Sequence, residues 1–181
     1  GCAASLADII ARHGPISVLV NAAGITRDTS LRRMSEQQWS DVITVNLDGV
    51  FNTCRALIDG MTERGFGRIV NISSVNGQTG QFGQTNYSAA KAGMHGFTMA
   101  LAREVAKKGV TVNSVSPGYC ETALVMAVAE PVREQIIANI PVGRLGKPCE
   151  IARVVDFLCA EDSAFITGAN IPVNGGYFMD F

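Results

Sequence analysis

An α/β fold built on a buried parallel sheet is what this sequence predicts, on three observations. Runs of residues rich in Val, Ile and Leu (ISVLVN at 16–21, RIVNI at 68–72, VTVNSVSP at 110–117) are short enough for strands and apolar enough for a buried sheet. Stretches with apolar residues at helical spacing alternate with them. Each run also ends in small residues, Gly, Ser or Pro, which punctuate strand-to-helix connections.

The first segment, SLADIIARHG, sets Leu6, Ile9 and Ile10 on one helical face, and Gly14 stops it. ISVLVNAAG then reads as a short strand covered on both faces, closed by a tight turn. Residues 25–34 (ITRDTSLRRM) form a polar loop near the mouth of any site. Ser35 and Gln38 make a capping box, and Met34 with Trp39 suits the hydrophobic staple. The helix they open runs to about Arg64, its apolar stripe formed by Trp39, Val42, Ile43, Val50, Phe51, Cys54, Leu57, Ile58 and Met61. Asn46 falls on that stripe, where a buried amide needs hydrogen-bond partners.

After the 68–72 strand comes a Gly/Gln/Asn-rich loop and then a helix over about 85–108, with Met94, Phe97, Leu101 and Val105 on its core side. Lys107 and Lys108 suit the negative end of that helix, and Gly109 its stop. VTVNSVSPG is the next strand. Residues 119–140 have the character of a lid, with enough apolar side chains to cover a ligand. Pro148 opens a core helix carrying Ile151, Val154, Val155 and Leu158. ITGANIPVNGG is a last short strand, and the tail YFMDF is apolar enough to be buried between subunits.

One domain over 1–181 fits the length and the 47% hydrophobic content. A net charge of −1 without a basic cluster argues against nucleic acid or an anionic membrane surface as partner. No apolar run reaches the roughly 20 residues of a membrane span, and the start lacks a signal-peptide pattern. The five cysteines (2, 54, 120, 149 and 159) are scattered and without metal-ligand spacing, so they read as reduced thiols of a cytoplasmic protein, with no metal site. His13 and His95 are isolated and read as packing residues.

The chemistry converges on 68–91. Tyr87 and Lys91 are four apart and share a helix face. A phenol titrates near pH ~10, and an ammonium one turn away is expected to pull it down towards neutrality. Ser74, at the end of the preceding strand, is placed to hydrogen-bond a carbonyl oxygen beside the tyrosine. In open parallel sheets ligands sit beyond the carboxyl ends of the strands. Asn21–Gly24, Ser74 and Pro117–Tyr119 all fall there.

Ser74, Tyr87 and Lys91, with LVNAAG (19–24), VNLDGVF (45–51), VNSVSPG (112–118) and ITGANIPVNGG (166–176), resemble the signature of the short-chain dehydrogenase/reductase family over nearly the whole chain. The resemblance implies a Rossmann-like doubly wound parallel sheet. It implies hydride transfer from NADPH, with NADH as the other option, to a keto carbon. Tyr87 would be the acid, Ser74 the orienting hydroxyl, Lys91 the partner of tyrosine and ribose, and Asn46 the holder of a relay water. Asn21, Ala23, Gly24, Pro117, Gly118 and Thr122 would line the cofactor together with Tyr87 and Lys91. Where the family turn commonly has a second Asn, this chain has Ala22, which removes one amide.

The loop QFGQTNY (81–87) and SPGY (116–119) are most similar to those of acetoacetyl-CoA reductases, with 3-oxoacyl-acyl-carrier-protein reductases as near neighbours. By that likeness Gln81, Phe82, Gln84 and Tyr119 border a short 3-ketoacyl thioester, giving the (R)-3-hydroxy product. The resemblance also implies subunit contacts through the 36–64 and 85–108 helices and through the last strand, hence a homodimer or homotetramer. The family's opening Thr-Gly-x-x-x-Gly-x-Gly turn is not found. The expectation is therefore an N-terminally truncated sheet whose first βαβαβ portion, on the order of 60 residues, is missing, which leaves the 17–21 strand as an exposed apolar edge. A non-catalytic fragment unable to hold cofactor is the alternative.

Overall fold

The computed structural model describes residues 1–179, so the last two residues of the apolar tail, Asp180 and Phe181, lie outside the described residues. Four strands, β1 (Val18–Asn21), β2 (Gly67–Ile72), β3 (Val110–Pro117) and β4 (Asn170–Val173), lie side by side in chain order and pair in parallel throughout. Parallel neighbours require crossovers, and helices supply them. α1 (Cys2–His13) precedes β1, and between the strands come α2 (Glu36–Ile43), α3 (Gly49–Arg64), α4 (Asn76–Thr79), α5 (Thr85–Val105), α6 (Ala123–Met126), α7 (Glu130–Ala138) and α8 (Pro148–Cys159).

The pleat sends alternate residues of β2 and β3 into two apolar layers. Ile69, Val110 and Val112 pack with Val50, Cys54, Leu57 and Met61 of α3 and Met94, Ala102 and Val105 of α5. Val70 and Val115 pack on the other side with Leu158, Ile151, Val154 and Val155 of α8. Helices on both faces of a parallel sheet are the doubly wound α/β arrangement.

β1 departs from the expectation of a strand covered on both faces. It is the sheet edge, and Val18 and Val20 remain 43% and 41% exposed because α8 lies over β2 and β3 instead. Leu19, on the opposite face, packs into the α3/α5 layer.

Local signals did much of the construction. Ser35 and Gln38 exchange the two capping-box bonds, at 3.1 and 2.9 Å. Pro148 stands in the first turn of α8, and Glu150 accepts from the Lys147 N–H at 2.7 Å. The helix opened by Ser35 is not uniform: residues Thr44–Asp48 form a π turn between α2 and α3. Trp39 stays 42% exposed, and the Met34 sulfur meets the Thr85 hydroxyl at 3.8 Å.

The sheet's other end is held by a buried cation. Arg68, 2% exposed, donates to the carbonyls of Gly67, Gly109, Ala160 and Glu161, and its guanidinium lies 4.4 Å from the centre of the Phe66 ring. That one side chain ties β2 to the ends of α5 and α8.

Candidate active site

A cavity of about 1300 Å³ runs from the uncovered face of β1 beside α8 to the carboxyl ends of β2 and β3, where its wall includes Gly24, Ser74, Gln84, Tyr87, Lys91 and Tyr119. The wall that carries Ser74, Tyr87 and Lys91 is built by pressing α4 onto α5. A Cβ on Gly77 would stand 2.9 Å from both the carbonyl carbon and the Cβ of Lys91, so only glycine permits this approach. The Ser73 hydroxyl donates to the Lys91 carbonyl at 3.0 Å and fixes the same contact. The loop expected at 76–84 thus contains one helical turn.

Ser74 Oγ accepts the Asn76 N–H at 3.1 Å, and its hydroxyl is near enough to the Tyr87 phenol to favour the ionised form. Tyr87 and Lys91 share the predicted face of α5, with the ammonium 5.5 Å from the centre of the phenol ring. The titration differs from the expectation. Burial raises the Tyr87 pKa above its ordinary value, the nearby Ser74 hydroxyl opposes this, and the Asp28 charge raises it further. Lys91 does not reverse the balance. Its Nζ donates to the Ile72 carbonyl at 2.7 Å, and burial pushes its own pKa down to about 8. Tyr87 is therefore held protonated at neutral pH.

Asn46 sits in the π turn, fully buried, where Nδ2 donates to the Ile25 and Val42 carbonyls at 2.9 and 2.8 Å. Its Oδ1 has no partner. A Cβ on Gly24 would stand 2.8 Å from that oxygen and 3.6 Å from Lys91 Nζ, which puts both groups behind one bare glycine.

The remaining expected residues divide. Pro117, Gly118, Tyr119 and Thr122 line the cavity. Gly118 has no room for a side chain, since a Cβ would stand 2.8 Å from Asn174 Cα. The Thr122 hydroxyl accepts the Val125 N–H at 3.4 Å and caps α6. Tyr119 packs edge-on against Tyr177, centroids 5.4 Å apart, a partner that no spacing pattern announced. Ala22 lines the wall; Asn21, Ala23, Gln81 and Phe82 are outside it, and Phe82 is 91% exposed.

The side chain of Asn21 is engaged elsewhere. It donates to Asn71 Oδ1 at 2.9 Å and accepts from the Thr53 hydroxyl at 2.7 Å, while Asn71 donates to Thr98 at 2.9 Å. This chain of amides and hydroxyls joins α3, β1, β2 and α5, so any role for Asn21 at the cavity belongs to its backbone. His95, half-buried, bonds Ser116 at 3.2 Å, in keeping with a packing role.

The polar loop after β1 folds over the start of α5. Thr29 N–H donates to the Gly83 carbonyl at 2.8 Å, Asn86 to the Gln38 carbonyl at 3.1 Å, and Gln84 to Asp28 at 2.8 Å. Asp28 and Asn76 are functional-site neighbours that sequence reasoning passed over.

Residues 1–178 match the family model described as enoyl-(acyl carrier protein) reductase. An acetoacetyl-CoA reductase of Allochromatium vinosum is 61% identical over 172 residues, covering 95% of this chain and 70% of the relative. One of Cupriavidus necator is 60% identical over 166 residues, covering 92% and 68%. A 3-oxoacyl-acyl-carrier-protein reductase of Pseudomonas aeruginosa is 49% identical over 177 residues, covering 98% and 72%.

Proposed function

Since the chain belongs to the short-chain dehydrogenase/reductase family, we propose that it reduces the 3-keto group of acetoacetyl-CoA to the (R)-3-hydroxyacyl thioester, using NADPH. The observation that carries this reading is the meeting of the Ser74 and Tyr87 hydroxyls and the Lys91 ammonium on one cavity wall.

A nicotinamide nucleotide fits the neighbouring wall. Gly24 leaves an opening beside the Lys91 ammonium that a Cβ would fill. The backbone of Asn21, Ala23 and Gly24 would hold the cofactor with Pro117, Gly118 and Thr122, and Lys91 and Tyr87 would meet its ribose. When bound, it supplies the hydride. Tyr87, kept protonated by burial, donates a proton to the oxygen of the reduced carbonyl. Ser74 hydrogen-bonds that oxygen and orients it. Lys91 and a water held at the unpartnered Oδ1 of Asn46 would return a proton to the phenol after it has donated one.

Gln84 and Tyr119 border the acyl thioester from the wall, and Gln81 and Phe82 from the rim. The outward face of the α3/α5 pair, with Phe51 and Met99 each 53% exposed, supports a homodimer or homotetramer contact. No helix among the described residues is long and apolar enough to cross a membrane; the cytoplasmic site of action in this reading rests on the scattered free cysteines. The test is binding and oxidation of NADPH by this chain with acetoacetyl-CoA, beside the same acyl group on a carrier protein. Turnover with the CoA thioester is expected. A folded chain that neither binds nor oxidises the nucleotide would overturn the reading, and turnover confined to the carrier-protein substrate would replace CoA.

A further inference from the structure

Gln84 stands in the cavity wall with its amide held at both ends. Nε2 donates to Asp28 Oδ2 at 2.8 Å, and Oε1 accepts from Asn76 Nδ2 at 2.9 Å. Asp28 lies in the loop after β1, Asn76 opens α4, and Gln84 precedes the first turn of α5, so the strap joins three segments around the site.

Its direction follows from charge. An ionised carboxylate accepts hydrogen bonds and never donates. Gln84 therefore has to turn its NH₂ towards Asp28, which leaves its carbonyl facing Asn76, and Asn76 answers with its own NH₂. The Asn76 oxygen is left over: it is buried without a partner, in a residue only 9% exposed. Reversing both amides would satisfy that oxygen but would set the Gln84 carbonyl against the carboxylate. The charge-assisted bond outweighs the orphan acceptor.

We infer that Asp28 and Asn76 are positioning residues that hold Gln84 so that it offers the cavity a hydrogen-bond donor, its remaining Nε2 hydrogen. Such a donor suits a carbonyl oxygen. The inference rests on the thioester reading above: the group received by Gln84 is the thioester carbonyl of the substrate.

Four proteins test it: wild type, Asp28→Asn, Asn76→Asp and the double variant, which keeps the net charge. In Asn76→Asp, two acceptors compete for one NH₂, so the melting temperature falls. In the double variant the strap is rebuilt in the opposite direction, and most of the lost melting temperature returns. The Kd for acetoacetyl-CoA, measured by calorimetry, stays at least about fivefold above wild type there, because Gln84 no longer offers its donor in the same place. No recovery of melting temperature overturns the charge-set direction, and a wild-type Kd in the double variant overturns the donor role. If the wild type itself fails to bind acetoacetyl-CoA, the substrate reading falls and takes the donor role with it, while the melting temperatures still judge the strap.

Discussion

The Lys91 ammonium spends a 2.7 Å hydrogen bond on the carbonyl of Ile72 and does not reach over to ionise Tyr87. The lysine is anchored to the end of β2, one residue-pair away from Ser74, and both partners of the Tyr–Lys pair are shifted towards their uncharged forms by burial. At neutral pH the phenol therefore holds its proton, the state from which the proposed reduction starts.

Burial of Lys91 has a consequence for stability. Its pKa falls from the ordinary lysine value to about 8 in the folded chain, so between pH 8 and the unfolded value the unfolded state binds more protons. Stability contributed at this position then rises with pH across that window, by on the order of 3 kcal/mol. Buried Cys54, raised to about 11, acts in the opposite sense, so the comparison has to be differential. Urea unfolding of wild type and Lys91→Met from pH 7 to 10 checks it: wild type gains on the variant as pH rises.

Gly77→Ala forces a Cβ to within 2.9 Å of the Lys91 backbone and side chain. Overpacking of this kind costs about 1–3 kcal/mol, and it displaces the residue that carries the ammonium. The denaturation midpoint and the turnover rate are both expected to drop. An unchanged midpoint would show that α4 is free to shift.

Gly24→Ala tests the gap in front of Asn46. The new methyl would meet Asn46 Oδ1 at 2.8 Å on the cavity side, where the wall is open. Nucleotide binding is expected to weaken by roughly tenfold or more, with a smaller change in melting temperature than Gly77→Ala produces. Equal losses of stability in the two variants would count against a role in the site.

Arg68→Met removes the donor shared by four carbonyls at the closed end of the sheet. Leaving buried carbonyls unmet is expected to cost on the order of 3 kcal/mol, read as a lower midpoint in urea. Kinetic constants per folded molecule stay near wild type, since Arg68 lies at the opposite end of β2 from Ser74.

Patterns with a short period were legible in the sequence. The Ser35–Gln38 box, Pro148 at the start of α8, the strands at 68–72 and 110–117, and the shared face of Tyr87 and Lys91 all follow from spacings of two to four residues. Asn46 was legible as a polar residue on an apolar stripe, and the structure seats it in a π turn. What escaped depends on contacts between segments far apart in the chain. Asp28 meets Gln84 across 56 positions, and Asn21 meets Asn71 across 50. The place of β1 at the sheet edge, with Val18 and Val20 exposed, is what a sheet lacking its first strands predicts; the local pattern of the strand alone reads as covered on both faces. The direction of the Tyr87 shift needed the depth of burial and the route of the lysine side chain, neither of which has a sequence signature.

The most direct measurement is single-turnover oxidation of NADPH by this chain with acetoacetyl-CoA, wild type against Tyr87→Phe. The phenylalanine keeps the ring against Lys91 and removes only the proton that Tyr87 is assigned to donate. Wild-type turnover with a loss of at least about a hundredfold in the variant, and nucleotide binding retained, is the predicted result. A Tyr87→Phe protein that reduces the thioester at the wild-type rate would contradict it.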